Sequence, residues 1–507
     1  MSDRMFIKNQ FIPAQNYSNV IEPLPKRQLI LFYIESICIG VWILIKWLLF
    51  FIWNNITIAS KNHFNRNQNN QQQQQQQQQY HQQNQKSLEL LNNYYYYSTI
   101  NNDYYPNKPP QILVDNKLGR HSYIKLKGVK FHYVECGNIE NPLIILLHGF
   151  PDCWLGWYKQ IIELSRFFHV ISIDLKGFND SDKPNWRNFY KPEKICEELK
   201  QFIFSLGYNT TTIIGHDLGA LIGWYFAHTN PDNIERFICI STPHPNLIWD
   251  NLNTKCIMNR TWLKFIQLPY IPELDHSSRY SNFLEKCLSK ILLDKSSTTT
   301  AASKILYSKK STSNTNLINN LYLNNINNQL IFDGKNFDQI YTKDNLKDCY
   351  KYIFSRRNDW TGPLNYYRSF PFYRIKENCI IKCPVLLITG NEDDYYRLES
   401  IIKSTDYCNN SIVKIIEACG HWPHRQASIE FNKILLNFLV GKRAQEQQYI
   451  DEMNKMNTNN DGKNNIMTKG IMGRMFGAVT STSVKIGSSV IDSVHQKTNT
   501  VLNNALY

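Results

Sequence analysis

The chain carries no CxxC pair and no His/Cys ligand spacing among its 12 cysteines; the closest two, Cys379 and Cys383, precede an apolar strand pattern. That absence removes the common zinc frameworks, and neither a metal nor another cofactor is expected. A long basic run is also missing. The formal net charge is +14, yet Lys and Arg gather no further than pairs such as Lys26-Arg27, Lys309-Lys310 and Arg356-Arg357. A positive excess spread so thinly reads as a solvated basic surface, and nucleic acid is not an expected partner. No small-residue cleavage site follows the amino-terminal apolar run, which argues against a secretory signal peptide.

What the chain does have is apolar sequence in two blocks, residues 29–53 and 124–440, within 507 residues that are 42% hydrophobic and 13% aromatic. Residues 29–53 hold only two charges, Glu35 and Lys46. About 20 apolar residues suffice to cross a bilayer as a helix. Each Leu, Ile, Phe or Val favours insertion by roughly 0.3–0.6 kcal/mol, against about 2.5–3.5 kcal/mol for a charge at mid-bilayer. The balance predicts a single-pass anchor, in the endoplasmic reticulum or another endomembrane; an interfacial or buried helix is the competing reading. Basic residues flank both ends almost equally, with a small bias toward a cytoplasmic amino-terminus.

Composition then divides the rest. Residues 54–115, with glutamines at 71–79 and tyrosines at 94–97, bury too little to offset their ordering entropy and read as a low-complexity tether. Residues 119–242 and 383–440 alternate short apolar runs with helical patterns, the signature of a mostly parallel sheet flanked by helices. Residues 243–382 form an intervening helical cap, with a disordered insertion at 296–329, and 441–507 a polar tail.

Four of the strand patterns end on residues able to do chemistry. Gly215-His216-Asp217-Leu218-Gly219 follows Thr212-Ile213-Ile214 and precedes an apolar helix pattern. This is the small-x-nucleophile-x-small elbow, with aspartate where serine is usual. Asp393 follows the run from Val385 and His421 the run from Ile412, giving the order nucleophile, acid, histidine. His148-Gly149-Phe150-Pro151 ends an earlier run and fits a loop that lends a backbone N–H to an oxyanion hole, with Leu218 supplying the second.

With these motifs, residues 133–439 resemble the epoxide hydrolase branch of the α/β-hydrolases, notably its members with an amino-terminal membrane anchor. The matching segments are 148–152, 173–177, 215–219, 242–246, 362–368 and 420–422. The resemblance implies an α/β-hydrolase fold with a helical cap and a cap tyrosine, Tyr367, that donates to the epoxide oxygen; Tyr366 is the near alternative. It also implies a second cap tyrosine, whose counterpart here is Phe265, unable to donate. The residue after the nucleophile is Leu218, where this branch and haloalkane dehalogenases usually have tryptophan.

Aspartate is chemically informative. A serine attacking an alkyl carbon would form an ether, which has no carbonyl for water to attack. A carboxylate forms an ester that water can cleave, and it is already ionised near neutral pH. The expectation is therefore hydrolysis of a small hydrophobic epoxide to a diol, with His421 activating water and Asp393 orienting His421. A dehalogenase, or an inactive membrane-tethered binding or scaffold protein, are the alternatives.

Overall fold

The computed structural model describes residues 17–66, 108–249, 256, 258–278, 283–293 and 340–441. The insertion at 296–329, most of the expected tether (67–107) and the tail beyond 441 lie outside the described residues. The chain divides into two units, 1–438 and 439–507; the sheet, the helices around it and the site belong to the first.

Eight strands form the main sheet: β2 (Arg120–Leu126), β3 (Val129–Cys136), β4 (Leu143–Leu147), β5 (His169–Ile173), β6 (Thr211–His216), β7 (Ile234–Ile240), β9 (Val385–Gly390) and β10 (Ser411–Ile416). Their order is β10-β9-β7-β6-β4-β5-β3-β2. The first five junctions are parallel, and β3 pairs antiparallel with both β5 and β2. The central strands β4, β5, β6 and β9 are buried at every position. This is why they read as unbroken apolar runs: in a parallel sheet both faces are covered by helices. The edge strand β10 alternates half-buried and exposed positions.

The chain runs from β4 to β5 on one side, then returns to place β6 on the other side of β4. Ligands in open α/β sheets bind beyond the carboxyl ends of strands at such a reversal. Leu147 pairs with Gly215 there, so the loops leaving β4 and β6 start side by side.

Between β7 and β9 lie the helices α5 (Arg260–Phe265), α6 (Ile271–Ser277), α7 (Phe283–Ile291), α8 (Lys343–Ile353) and α9 (Asn358–Tyr367). A short strand, β8 (Tyr373–Ile375), follows them and pairs antiparallel with β1 (Ile21–Pro23), Ile21 opposite Ile375. No sequence pattern marks β1; three residues are too few to show a period.

Helix α1 covers Lys26–Arg66. It is long and apolar enough to cross a membrane, and it continues well beyond residue 53, where the tether was expected to begin. No glycine or proline interrupts 54–66, and extending a helix that already exists adds one hydrogen bond per residue fixed. At the far end of the expected tether, Ile112 and Leu113 are buried, so folded structure starts before residue 115.

Helices α2 (Tyr158–Leu164), α3 (Pro192–Ser205) and α4 (Leu218–Thr229) cover the sheet. Every residue of α4 is buried, as expected of a helix apolar all round. Between β6 and α4 the single residue Asp217 turns the chain with φ 47° and ψ −114°. The turn needs Gly219, because a β-carbon there would lie 2.1 Å from the carbonyl oxygen of Leu147. Gly219→Ala should therefore destabilise the protein by the upper end of, or more than, the roughly 1–3 kcal/mol typical of overpacking. Thermal unfolding followed by circular dichroism checks this; an unchanged midpoint would mean that the two backbones are not this close.

Candidate active site

Because β4 and β6 are neighbours, the backbone of the loop after β4 reaches over the elbow. The Phe150 N–H donates to Asp217 Oδ2 at 3.0 Å. The Tyr367 O–H, from the last residue of α9, donates to the same oxygen at 3.3 Å. Leu218 is the first residue of α4, so its N–H belongs to the helix's first turn, which has no intrahelical acceptor, and the positive end of the helix dipole lies at Asp217.

His421, in the loop after β10, places Nε2 3.8 Å from Asp217 Oδ1. That is ion-pair range but too long for a hydrogen bond. Its Nδ1 lies 2.9 Å from Asp393 Oδ2. An ionised carboxylate can only accept, so Nδ1 carries the proton. Asp393 is in turn held by the N–H groups of Tyr395 and Tyr396 on its Oδ1, at 2.8 and 3.2 Å. The Tyr395 ring stacks on His421 at 4.2 Å between centroids. Each member is thus fixed by a second group. Orientation of this kind is what a base needs.

Charge is strongly coupled here. Burial alone would lower the His421 pKa, but the Asp393 and Asp217 carboxylates outweigh it and push it up to about 10. Burial would raise Asp217, yet His421, and then His216 and the Phe150 N–H, bring it below the usual carboxylate range. The resting site is therefore an imidazolium between two carboxylates. Burial, reinforced by the negative Asp217, pushes Tyr367 well above its ordinary value, so its O–H keeps its proton and remains a donor.

The two neighbouring tyrosines separate cleanly. Tyr366 packs its ring on Tyr190 and Phe370, whereas Tyr367 faces Asp217. The second cap position differs from the sequence expectation. Phe265 lies against His276, at 6.1 Å, and it is Trp262 that stands at the site, 5.2 Å from the Tyr367 ring and 6.2 Å from Phe150. Trp262 and Phe265 are three residues apart on α5, one turn along the same side, so a motif match slips between them easily. Neither side chain frees a donor: the Trp262 indole N–H is taken by His276 Nε2 at 3.0 Å.

Arg368 directly follows Tyr367 in the chain. Its guanidinium pairs with Glu273 through Nη1 at 2.6 Å and Nη2 at 3.1 Å, and donates to the carbonyls of Ile266 and Leu268. This buried fork ties α9 to the α5–α6 segment and so fixes where Tyr367 points. The surroundings of Phe150 are aromatic: its ring lies within 6.4 Å, centroid to centroid, of Trp262, Phe283, Phe354, Trp360 and Tyr367.

Behind the site, Asp152, His216 and His424 bring possible metal-ligand atoms within 4.8 Å of one another. The Asp152 carboxylate already accepts from Arg425 at 3.0 Å and from Tyr350 at 2.6 Å. That buried guanidinium opposes a second cation.

Residues 142–427 match the family profile of the alpha/beta hydrolase fold. Human epoxide hydrolase 4 is 29% identical over 337 residues, 65% of this chain and 82% of the human protein. Epoxide hydrolase 3 of Xenopus tropicalis is 30% identical over 336 residues, 65% of this chain and 80% of the frog protein. A solved structure from Nostoc sp., of the alpha/beta hydrolase class, aligns with a TM-score of 0.50 at 18% identity, covering 64% of this chain and 98% of that one, a likeness of fold. The chain belongs to the α/β-hydrolase family, in its epoxide hydrolase branch.

Proposed function

We propose that this protein hydrolyses epoxides to vicinal diols through a covalent ester on Asp217, and does so at a membrane to which residues 29–53 hold it. The observation that carries the reading is the placing of one buried carboxylate, Asp217, between the Phe150 N–H and the Tyr367 O–H, with His421 alongside.

Asp217 Oδ1 attacks a ring carbon, the C–O bond of the epoxide breaks, and Tyr367 protonates the departing oxygen. Ester formation removes the negative charge from Asp217, and with it one of the two carboxylates that hold the proton on His421. His421 gives up that proton, which restores Tyr367, and is then free to act as a base. Water loses a proton to His421 and attacks the ester carbonyl carbon. The negative charge then collects on Oδ2, the oxygen that the Phe150 N–H already faces and to which the Leu218 N–H would also donate. Losing one donor of this kind costs about 2.7–4 kcal/mol in a protease. Collapse expels the diol, whose second hydroxyl takes a proton from the site, and Asp217 is ionised again.

The reading extends to the substrate. An aromatic wall and a buried nucleophile suit a small hydrophobic epoxide, which would also partition into lipid. Residues 243–382 serve as the cap that supplies Tyr367 and closes the pocket. The Trp262 indole, already engaged by His276, is not available to hold a halide, and position 218 has none, so the arrangement favours an epoxide over an alkyl halide.

Two variants test this. His421→Gln should still form the ester but not release it, so intact-mass analysis after mixing with an epoxide should show the protein heavier by one substrate. An absent adduct, with the variant folded, would refute the ester. Tyr367→Phe should lower kcat/KM by at least about a hundredfold, the low end of what a general acid contributes. Full activity in that variant would move the acid elsewhere.

A further inference from the structure

Helix α1 is not free of the body it anchors. Leu29, Phe32, Ser36, Gly40 and Ile43 are buried or half-buried, at spacings of three and four that put them on one face. That face lies on the cap and, at Arg187, on the core. Phe32 and Tyr33 set their rings 5.4 and 5.6 Å from Phe372. Arg187 Nη1 donates to the Tyr33 hydroxyl at 2.5 Å. Glu35 pairs with Lys264 of α5 at 2.5 Å. A β-carbon at Gly40 would lie 2.9 Å from Leu268 Cδ2. Just before the helix, β1 adds a strand to β8.

The opposite face of the same segment is apolar and open: Ile30, Leu31, Ile34, Ile37 and Val41 are each at least half exposed. Length then decides how the body can sit. Beyond Ile43 the apolar span continues only to Thr57, about 21 Å of helix at 1.5 Å per residue. A hydrocarbon core is about 30 Å thick. The helix can cross it only if part of residues 30–43 is also in lipid, and those residues carry the cap on their other side.

We infer, resting on the proposed membrane anchor, that the cap face bearing α5, Leu268 and Phe372 is seated in a phospholipid bilayer, with α1 docked on it as a structural part. Three features agree. Glu35 sits in an apolar helix where a lone charge costs about 2.5–3.5 kcal/mol at mid-bilayer, and Lys264 of the cap meets it. Trp186 and Tyr270 are 76% and 72% exposed. They adjoin Arg187 and the Leu268 segment, both of which touch α1, and exposed Trp and Tyr are enriched at the membrane–water interface. Finally, α5 presents Lys264 to α1 and Trp262 to Tyr367, so one short helix separates the membrane anchor from the pocket wall.

The test uses the full chain in phosphatidylcholine vesicles, with a protease site inserted within 67–107. After cleavage the body should remain in the vesicle pellet, within twofold of the uncleaved protein, because the docked face holds it; its release to the supernatant would overturn the inference. In parallel, a benzophenone amino acid replaces Val41, Trp186 or Tyr270 in turn. Crosslinks to lipid are expected at all three positions, and crosslinking at Val41 alone would place the cap in water and overturn the seating. No crosslink at any of them would sink both the anchor and this inference. Epoxide turnover, assayed on the same samples, separates that outcome from a failure of the catalytic reading.

Discussion

The site depends on two backbones meeting at the carboxyl ends of neighbouring parallel strands. β4 and β6 lie side by side in register, so the loop leaving one places the Phe150 N–H on the side chain presented by the other. The close approach admits no β-carbon at Gly219 and little room at Gly149, where one would fall 2.9 Å from the Asp217 β-carbon. Backbone donors fixed in this way need no reorganisation when charge develops, which is where their advantage over water lies. Around that buried carboxylate stand the Tyr367 hydroxyl, His421 from a third loop and a cluster of aromatic rings on Phe150.

The same burial would let one histidine hold two states in the cycle proposed above. Between Asp217 and Asp393 it is an imidazolium, and each carboxylate contributes to its raised pKa. Esterification of the first would remove one of these, and a shift of one pKa unit corresponds to about 1.4 kcal/mol. In the proposed mechanism, proton release would thereby be tied to formation of the intermediate that needs a base. Hydrogen bonds from Tyr395 and Tyr396 keep Asp393 in place throughout.

Much of the sheet was legible in the sequence because its strands are buried on both faces and so appear as apolar runs; the elbow and the two loops after β9 and β10 could then be located as run endings. Asp217, Asp393 and His421 are 176 and 28 residues apart along the chain, and only the sheet order brings them together. Less was legible in the cap, where short helices leave register ambiguous by a turn: Phe265 was expected where Trp262 stands. The Arg368–Glu273 fork was invisible, since pairing between residues 95 apart leaves no local pattern. Composition also misplaced the tether boundary. The apolar block ends at residue 53, but α1 carries on to Arg66.

The central claim is that the oxygen entering the product first belongs to the protein. Single-turnover hydrolysis in heavy-oxygen water, with enzyme in excess over epoxide, measures this directly. The account predicts an unlabelled diol from the first turnover and heavy oxygen in the peptide containing Asp217. Label in that first diol, with none in the peptide, would mean that water attacks the epoxide itself and that no ester forms.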